Sequence, residues 1–268
     1  MIRLLGIDVD GTLLGSSGDV LPEVWDASER ARSSGIRLIL CSGRPAFGRT
    51  LEYARRLDAD GWHVFQNGAS IVDVATGESR STPLPLDSVR ACAARARSTG
   101  DLLELYTDSE FANESGSAVA REHARHLGVP FEVRPFESLT RPIVRAQWLL
   151  SHEAARQLAS APHPGLEVAL STSPLMPDTT FVGITVAGVS KGSAIRTVAS
   201  EYGIDLKDAM YVGDGENDLS ALQAVGHPVA MANAAPSVLQ LARYTVGHVD
   251  EGGLAEAMDL AMGRRLRT

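Results

Sequence analysis

Apolar residues follow two alternating patterns along the chain. Short apolar runs at 4–7, 36–40, 102–106 and 209–212 read as buried strands. Between them lie stretches of helical period. One is opened by Pro22, runs through Ser34 and is stopped by Gly35. Others stop at Gly100, Gly128, Gly203 and Gly226. Glycine suits these ends because the residue after a helix often takes a positive φ. In 192–202, Ala194, Ile195, Val198, Ala199 and Tyr202 share one face; Leu219, Leu222 and Val225 mark the next helix. Strands alternating with helices predict an α/β fold with a doubly wound, largely parallel, Rossmann-like sheet.

The middle of the chain reads differently. Residues 70–82 read as a hairpin turning at 75–77, and Pro83 and Pro85 follow. From there to Thr185 the chain has its own strands and helices, with proline-rich joints. The expected division is a discontinuous core, 1–82 and 186–268, with an inserted α/β domain at 83–185. No internal repeat or low-complexity tract interrupts it.

Composition narrows the function classes. The 268 residues carry 25 basic and 33 acidic side chains, a net charge of −8, which argues against a nucleic-acid partner. An anionic small molecule stays compatible, since a site needs only a few local cations. With 44% apolar and 22% charged residues the chain is expected to fold. Only Lys191 and Lys207 are lysines, so a catalytic lysine has two candidates. Cys41 and Cys92 form no C-x-x-C pair, which speaks against a disulfide framework or a cysteine zinc site. No apolar run approaches the ~20 residues of a membrane span, and the first apolar run is too short for a signal-peptide core. A cytoplasmic protein without a membrane partner is the expectation. The oligomeric state is left open.

Four short segments carry the candidate chemistry. The run 8–12, Asp-Val-Asp-Gly-Thr, follows the first strand. Ligands in open α/β sheets bind at the carboxyl ends of strands, so Asp8 and Asp10 are placed at the expected site. Alternate residues of an extended chain face one way, which lets the two carboxylates converge. Gly11 permits a sharp turn, and with Thr12 it is a candidate phosphate contact. The run 41–44, Cys-Ser-Gly-Arg, follows the second strand and offers the Ser42 hydroxyl, the Gly43 N–H and the Arg44 guanidinium. Pro45 is expected to open a helix whose N-terminus favours anions. Lys191, between Ser190 and Gly192, opens a helix where the dipole favours acidic groups, a misplacement that points to function rather than surface. Lys207 reads as surface. The run 213–218, Gly-Asp-Gly-Glu-Asn-Asp, again ends a strand in carboxylates. Asp214 and Asp218 suit Mg²⁺, which prefers oxygen ligands.

Other motifs fail. No calcium loop, P-loop, third dinucleotide glycine, H-E-x-x-H or G-x-S-x-G is present. His123 and His126 read as surface helix residues.

In order and spacing, the four segments resemble the haloacid dehalogenase superfamily of phosphohydrolases, and more finely its Cof-type subfamily. The runs 66–69 (Gln-Asn-Gly-Ala), 188–192, 229–234 (Val-Ala-Met-Ala-Asn-Ala) and 245–253 add to the likeness. It covers both core segments well and the insertion only by position and size, where members carry a variable cap. His227 and Pro228 depart from the subfamily pattern, and Glu216 stands at a variable position.

The resemblance implies a Mg²⁺-dependent phosphatase of small phosphorylated metabolites, such as sugar phosphates or phosphorylated cofactors. Asp8 would be the nucleophile, forming an aspartyl-phosphate, and Asp10 the acid and base. Gly11, Thr12, Ser42, Gly43, Lys191 and Asn217 would surround the phosphoryl group, and Arg44 would touch substrate. Asp8, the Asp10 carbonyl and Asp214 would hold Mg²⁺, with Asp218 supporting. A phosphomutase or phosphotransferase on the same core, or a non-catalytic sugar-phosphate binder, are the alternatives.

Overall fold

A computed structural model describes residues 1–173 and 176–263. In chain order the elements are β1 (Leu4–Ile7), α1 (Pro22–Ser33), β2 (Arg37–Leu40), α2 (Gly48–Leu57), β3 (Trp62–Phe65) and β4 (Ser70–Asp73). There follow α3 (Leu86–Thr99), β5 (Leu102–Tyr106), β6 (Phe111–Asn113), α4 (Ala118–Leu127), β7 (Arg145–Leu150), α5 (His152–Ser160), β8 (Leu166–Ser173) and β9 (Met176–Val186). The chain then makes α6 (Lys191–Glu201), β10 (Ala209–Gly213), α7 (Leu219–Ala224), β11 (His227–Met231), α8 (Pro236–Leu241), β12 (Tyr244–Val246) and α9 (Gly253–Ala261).

These elements form two compact units. One comprises Met1–Arg44, Thr50–Arg80 and the chain from Ser190 onward; the other comprises Pro45–Arg49 and Ser81–Val189. The first holds a parallel sheet in the order β12-β11-β10-β1-β2. Its central strands β1 and β10 are short, apolar and buried along their whole length, as burial on both faces requires. Alternation sends Leu4 and Tyr211 to the face packed by Ala194, Ile195 and Val198 of α6 and Leu222 of α7. Helices α1 and α9 pack on each other and against β2, β10 and β11. The parallel sheet flanked by helices is the α/β architecture expected from the alternating pattern.

The second unit has an antiparallel sheet in the order β6-β5-β7-β9-β8. One of its faces packs Leu103, Leu105, Trp148 and Val182 with Ala93 of α3 and Leu158 of α5. The other gathers Leu102, Leu149 and Phe181 around Ala120 of α4.

Three local expectations are corrected. Pro45 does not open a helix: α2 begins at Gly48, with φ +58, and a Cβ there would lie 2.6 Å from the Leu127 carbonyl. Residues 70–82 do turn back on themselves at 75–77, with the Asp73 N–H donating to the Glu78 carbonyl and the Arg80 N–H to the Ile71 carbonyl, but this is not the main pairing of the segment. β4 pairs instead with the preceding β3, and the 75–77 turn returns to a single bridge between Val72 and Ser79. His123 is not a surface residue. It lies on the buried stripe of α4 with Ala120 and Ala124, and its Nδ1 is 2.9 Å from Glu104 Oε1.

Candidate active site

Register assembles the site. Ile7 pairs with Leu40 on one side and Val212 on the other, so the next residues of β1, β2 and β10 emerge at one level. Asp8 follows β1, Ser42 lies two residues past β2, and Asp214 follows β10.

Asp8 is buried, and its Oδ1 accepts from Lys191 Nζ at 2.5 Å. Lys191, the first residue of α6 behind its Ser190 cap, is itself buried; a solvated lysine is excluded. Its Nζ also donates to Asp218 Oδ1 at 2.6 Å. Asp218 is fully buried and saturated. Its Oδ1 accepts a second bond from the Tyr211 hydroxyl at 2.6 Å, and its Oδ2 accepts from the Asp214 and Gly215 N–H groups at 3.0 Å each. A carboxylate offers about four acceptor positions, and all are in use. Asp218 therefore orients Lys191 and the loop after β10.

Asp214 meets the Asp8 loop from the other side, where Thr12 Oγ1 donates to its Oδ1 at 2.9 Å. Gly11 has φ +90, and a Cβ there would lie 2.2 Å from Asp214 Oδ2, so only glycine fits. Asp8, Asp214 and Asp218 bring carboxylate oxygens within 4.8 Å of one another. The donor set suits a hard divalent cation, and the oxygens of Asp8 and Asp214 that bond neither Lys191 nor Thr12 are the ones able to take it.

Asp10 does not join that cluster through its side chain. It is 61% exposed, and both its oxygens are held by Arg44, with Nε to Oδ2 at 2.9 Å and a second, shorter contact from Nη2 to Oδ1. Arg44, expected at substrate, thus grips Asp10. Ser42 is buried and its Oγ accepts from the Arg44 N–H at 3.0 Å; Asn217 Nδ2 donates to Asn67 Oδ1 at 3.1 Å. A Cβ on Gly43 would lie 3.1 Å from that same Asn67 oxygen. Lys207 is exposed and pairs with Asp205.

Electrostatics follow from burial. Burial pushes the Asp8 carboxyl well above its ordinary value, the charge of Asp218 adds to this, and Lys191 opposes it. Burial raises Asp214 to about 6 against the Thr12 hydrogen bond. Burial disfavours the Lys191 ammonium, but Asp8 and Asp218 outweigh it and hold the pKa above the ordinary lysine value.

Tyr211, Asn67 and Asn233 join the site without a signal in the sequence that places them there. Tyr211 looks like any strand residue, and nothing in one dimension aims its hydroxyl at Asp218. Asn67 takes φ +56 in the turn after β3, a conformation asparagine tolerates.

A sequence model described as haloacid dehalogenase-like hydrolase matches residues 5–258. The chain belongs to that family. It is similar to the Bacillus subtilis protein YxeH, 30% identical over 96% of this chain and 97% of the relative. It is 25% identical to the 5-amino-6-(5-phospho-D-ribitylamino)uracil phosphatase YwtE of the same organism, over 96% and 97%. A crystal structure of a haloacid dehalogenase-like hydrolase from Bacteroides thetaiotaomicron superposes with a TM-score of 0.85, 25% identity, and coverage of 97% and 99%. No helix among the described residues of this hydrolase is long and apolar enough to cross a membrane.

Proposed function

We propose that the chain is a Mg²⁺-dependent phosphatase that hydrolyses small phosphorylated metabolites through an aspartyl-phosphate on Asp8. In this reading 1–82 and 186–268 form the catalytic core and 83–185 its inserted cap. The observation that carries it is the contrast between two carboxylates two residues apart. Asp8 is buried against Lys191 and beside Asp214, whereas Asp10 is solvent-facing and paired with Arg44. Carboxylates held in different environments take different roles.

Asp8 attacks phosphorus in line with the leaving oxygen, and Asp10 gives that oxygen a proton. Asp10 then takes a proton from the water that attacks the aspartyl-phosphate, releasing phosphate and regenerating Asp8. Two of the three Lys191 N–H groups are committed, which leaves one for a phosphoryl oxygen. Ser42, the Gly43 N–H, Gly11, Thr12 and Asn217 complete the cradle, and Arg44 passes from Asp10 to substrate. Asp8, the Asp10 carbonyl and Asp214 would hold Mg²⁺, with Asp218 behind them; the ion would neutralise charge shared by phosphate and carboxylates. The uracil phosphatase YwtE, similar over nearly its whole length, supports this substrate class.

The test is p-nitrophenyl phosphate hydrolysis by the purified chain. Turnover is expected with Mg²⁺ and is expected to vanish with EDTA or in Asp8→Asn. Turnover that survives either treatment overturns the reading.

A further inference from the structure

The loop after β11 touches both loops that carry the candidate metal ligands, and the chemistry above uses neither contact. Asn233 Nδ2 donates to the Gly11 carbonyl at 2.8 Å, and its Oδ1 accepts from the Val249 N–H at 3.1 Å. Two residues on, the Ala235 N–H donates to the Asp214 carbonyl at 2.9 Å. One short loop thus holds the Asp8–Gly11 turn with a side chain and the Asp214 turn with its backbone.

The spacing between those turns has little freedom. The missing Cβ of Gly11 would lie 2.2 Å from Asp214 Oδ2, and Thr12 already bonds Asp214 Oδ1. Asp8 and the peptide after Asp10 lie on one turn, Asp214 on the other, so their separation fixes the size of the cation site. An amide is the side chain this position needs. It donates to Gly11 and accepts from Val249 through one planar group, whereas a carboxylate only accepts and a hydroxyl is shorter.

We propose that Asn233 is a positioning residue that, with the Ala235 N–H, brackets the two halves of the metal site and sets their separation. Its catalytic consequence rests on the Mg²⁺-dependent phosphatase reading; its consequence for cation binding does not. Groups that hold metal-bearing elements in place commonly change affinity or activity by about 10–100-fold when removed.

The experiment compares Asn233→Ala, Asn233→Asp and Val249→Pro with the parent, all as full chains. Val249 opens a short 3-10 turn behind His248, whose φ −66 and ψ 150 suit a residue before proline, so proline is accommodated there and removes the N–H that bonds Asn233 together with part of a buried apolar side chain. Mg²⁺ binding is read by calorimetry, and kcat and KM with p-nitrophenyl phosphate. Asn233→Ala is expected to weaken Mg²⁺ binding and lower kcat by about tenfold or more, with KM within about threefold. Val249→Pro is expected to stay within about threefold of the parent in each. Should Asn233→Ala not fold, Asn233→Asp keeps an acceptor for the Val249 N–H, replaces the donor to Gly11 with an oxygen that repels its carbonyl, and is expected to lose at least as much kcat.

Mg²⁺ affinity and kcat close to the parent in Asn233→Ala overturn the proposal. So does a Val249→Pro loss as large as that of Asn233→Ala, since general loosening then accounts for both. A parent that binds Mg²⁺ but hydrolyses no phosphate ester defeats the phosphatase reading alone, and calorimetry still decides Asn233. A parent that binds no Mg²⁺ defeats both.

Discussion

Asp214 is the residue whose protonation reports the state of the site. Burial holds its carboxyl up to about 6, whereas an unfolded chain leaves an aspartate near ~3.9. Between those values the folded chain keeps a proton that the unfolded chain has lost. The contribution of Asp214 to stability therefore falls as pH rises from about 4 to about 6 and is level above that. Asp214→Asn removes this slope. In EDTA, the variant's thermal midpoint is expected to gain on the parent's across that window, with no further change from pH 7 to 8. Added Mg²⁺ is expected to restore the parent's advantage at pH 7, because the cation binds the ionised form. Parallel midpoint curves for the two chains in EDTA would contradict the burial of this charge. Lys191 donates directly to Asp8 and Asp218, whereas the Thr12 hydroxyl is the donor to Asp214.

Elements set where such residues arrive, and some of that placement is legible in the sequence. Runs 4–7 and 102–106 coincide with β1 and β5, and the stops at Gly35, Gly100, Gly128 and Gly203 all take positive φ. These depend on local chemistry, which one dimension records. The start of α2 does not. Pro45 carries a helix-opening signal, yet Pro45–Arg49 belongs to the second unit, where Phe47 stacks on Tyr106 and Phe111. A contact about 60 residues away in the chain overrides a local propensity. The partner of β4 is missed for a different reason: both the 75–77 turn and the Asn67-Gly68 turn, with its positive φ values, are readable, but one dimension does not rank the two, and β4 takes β3 as its regular partner. The carboxylates at strand ends could be placed in advance; the bonds that saturate Asp218 could not, since Tyr211 and Lys191 reach it from other elements. The α2 start yields a test. Gly48→Ala puts a Cβ in both a left-handed conformation and the Leu127 carbonyl, whereas Gly35→Ala meets open space at φ +87. Gly35→Ala is expected to cost about 1–2 kcal/mol from backbone strain alone. Gly48→Ala is expected to cost clearly more in urea unfolding, and equal costs would show that the Leu127 contact yields.

At the scale of the whole molecule, two cores lie on one chain, and the candidate cation site belongs to the first alone. Trp62 packs with Leu4, Ile39 and Val198 in one; Trp148 packs with Leu103, Ala146 and Ile184 in the other. A ligand that binds only one folded unit stabilises that unit, by about 2.7 kcal/mol at a concentration one hundred times its dissociation constant. Chains with separate cores often depart from all-or-none unfolding. The tryptophans make the two cores separately visible. With Trp25→Phe and Trp62→Phe, the remaining fluorescence comes from Trp148 in the second unit; with Trp148→Phe it comes from the first. On heating, Mg²⁺ is expected to raise the midpoint seen through Trp25 and Trp62 by several degrees and to leave the Trp148 midpoint nearly unchanged. The reasoning is mass action: the carboxylates at Asp8, Asp214 and Asp218 all lie in the first unit, so the cation gains nothing from the folding of the second. Equal shifts through both probes would show that the two cores unfold as one block. In that case the second unit adds its stability to the first, and a substitution in the second unit, such as Gly48→Ala, would lower the melting temperature seen through Trp25 and Trp62.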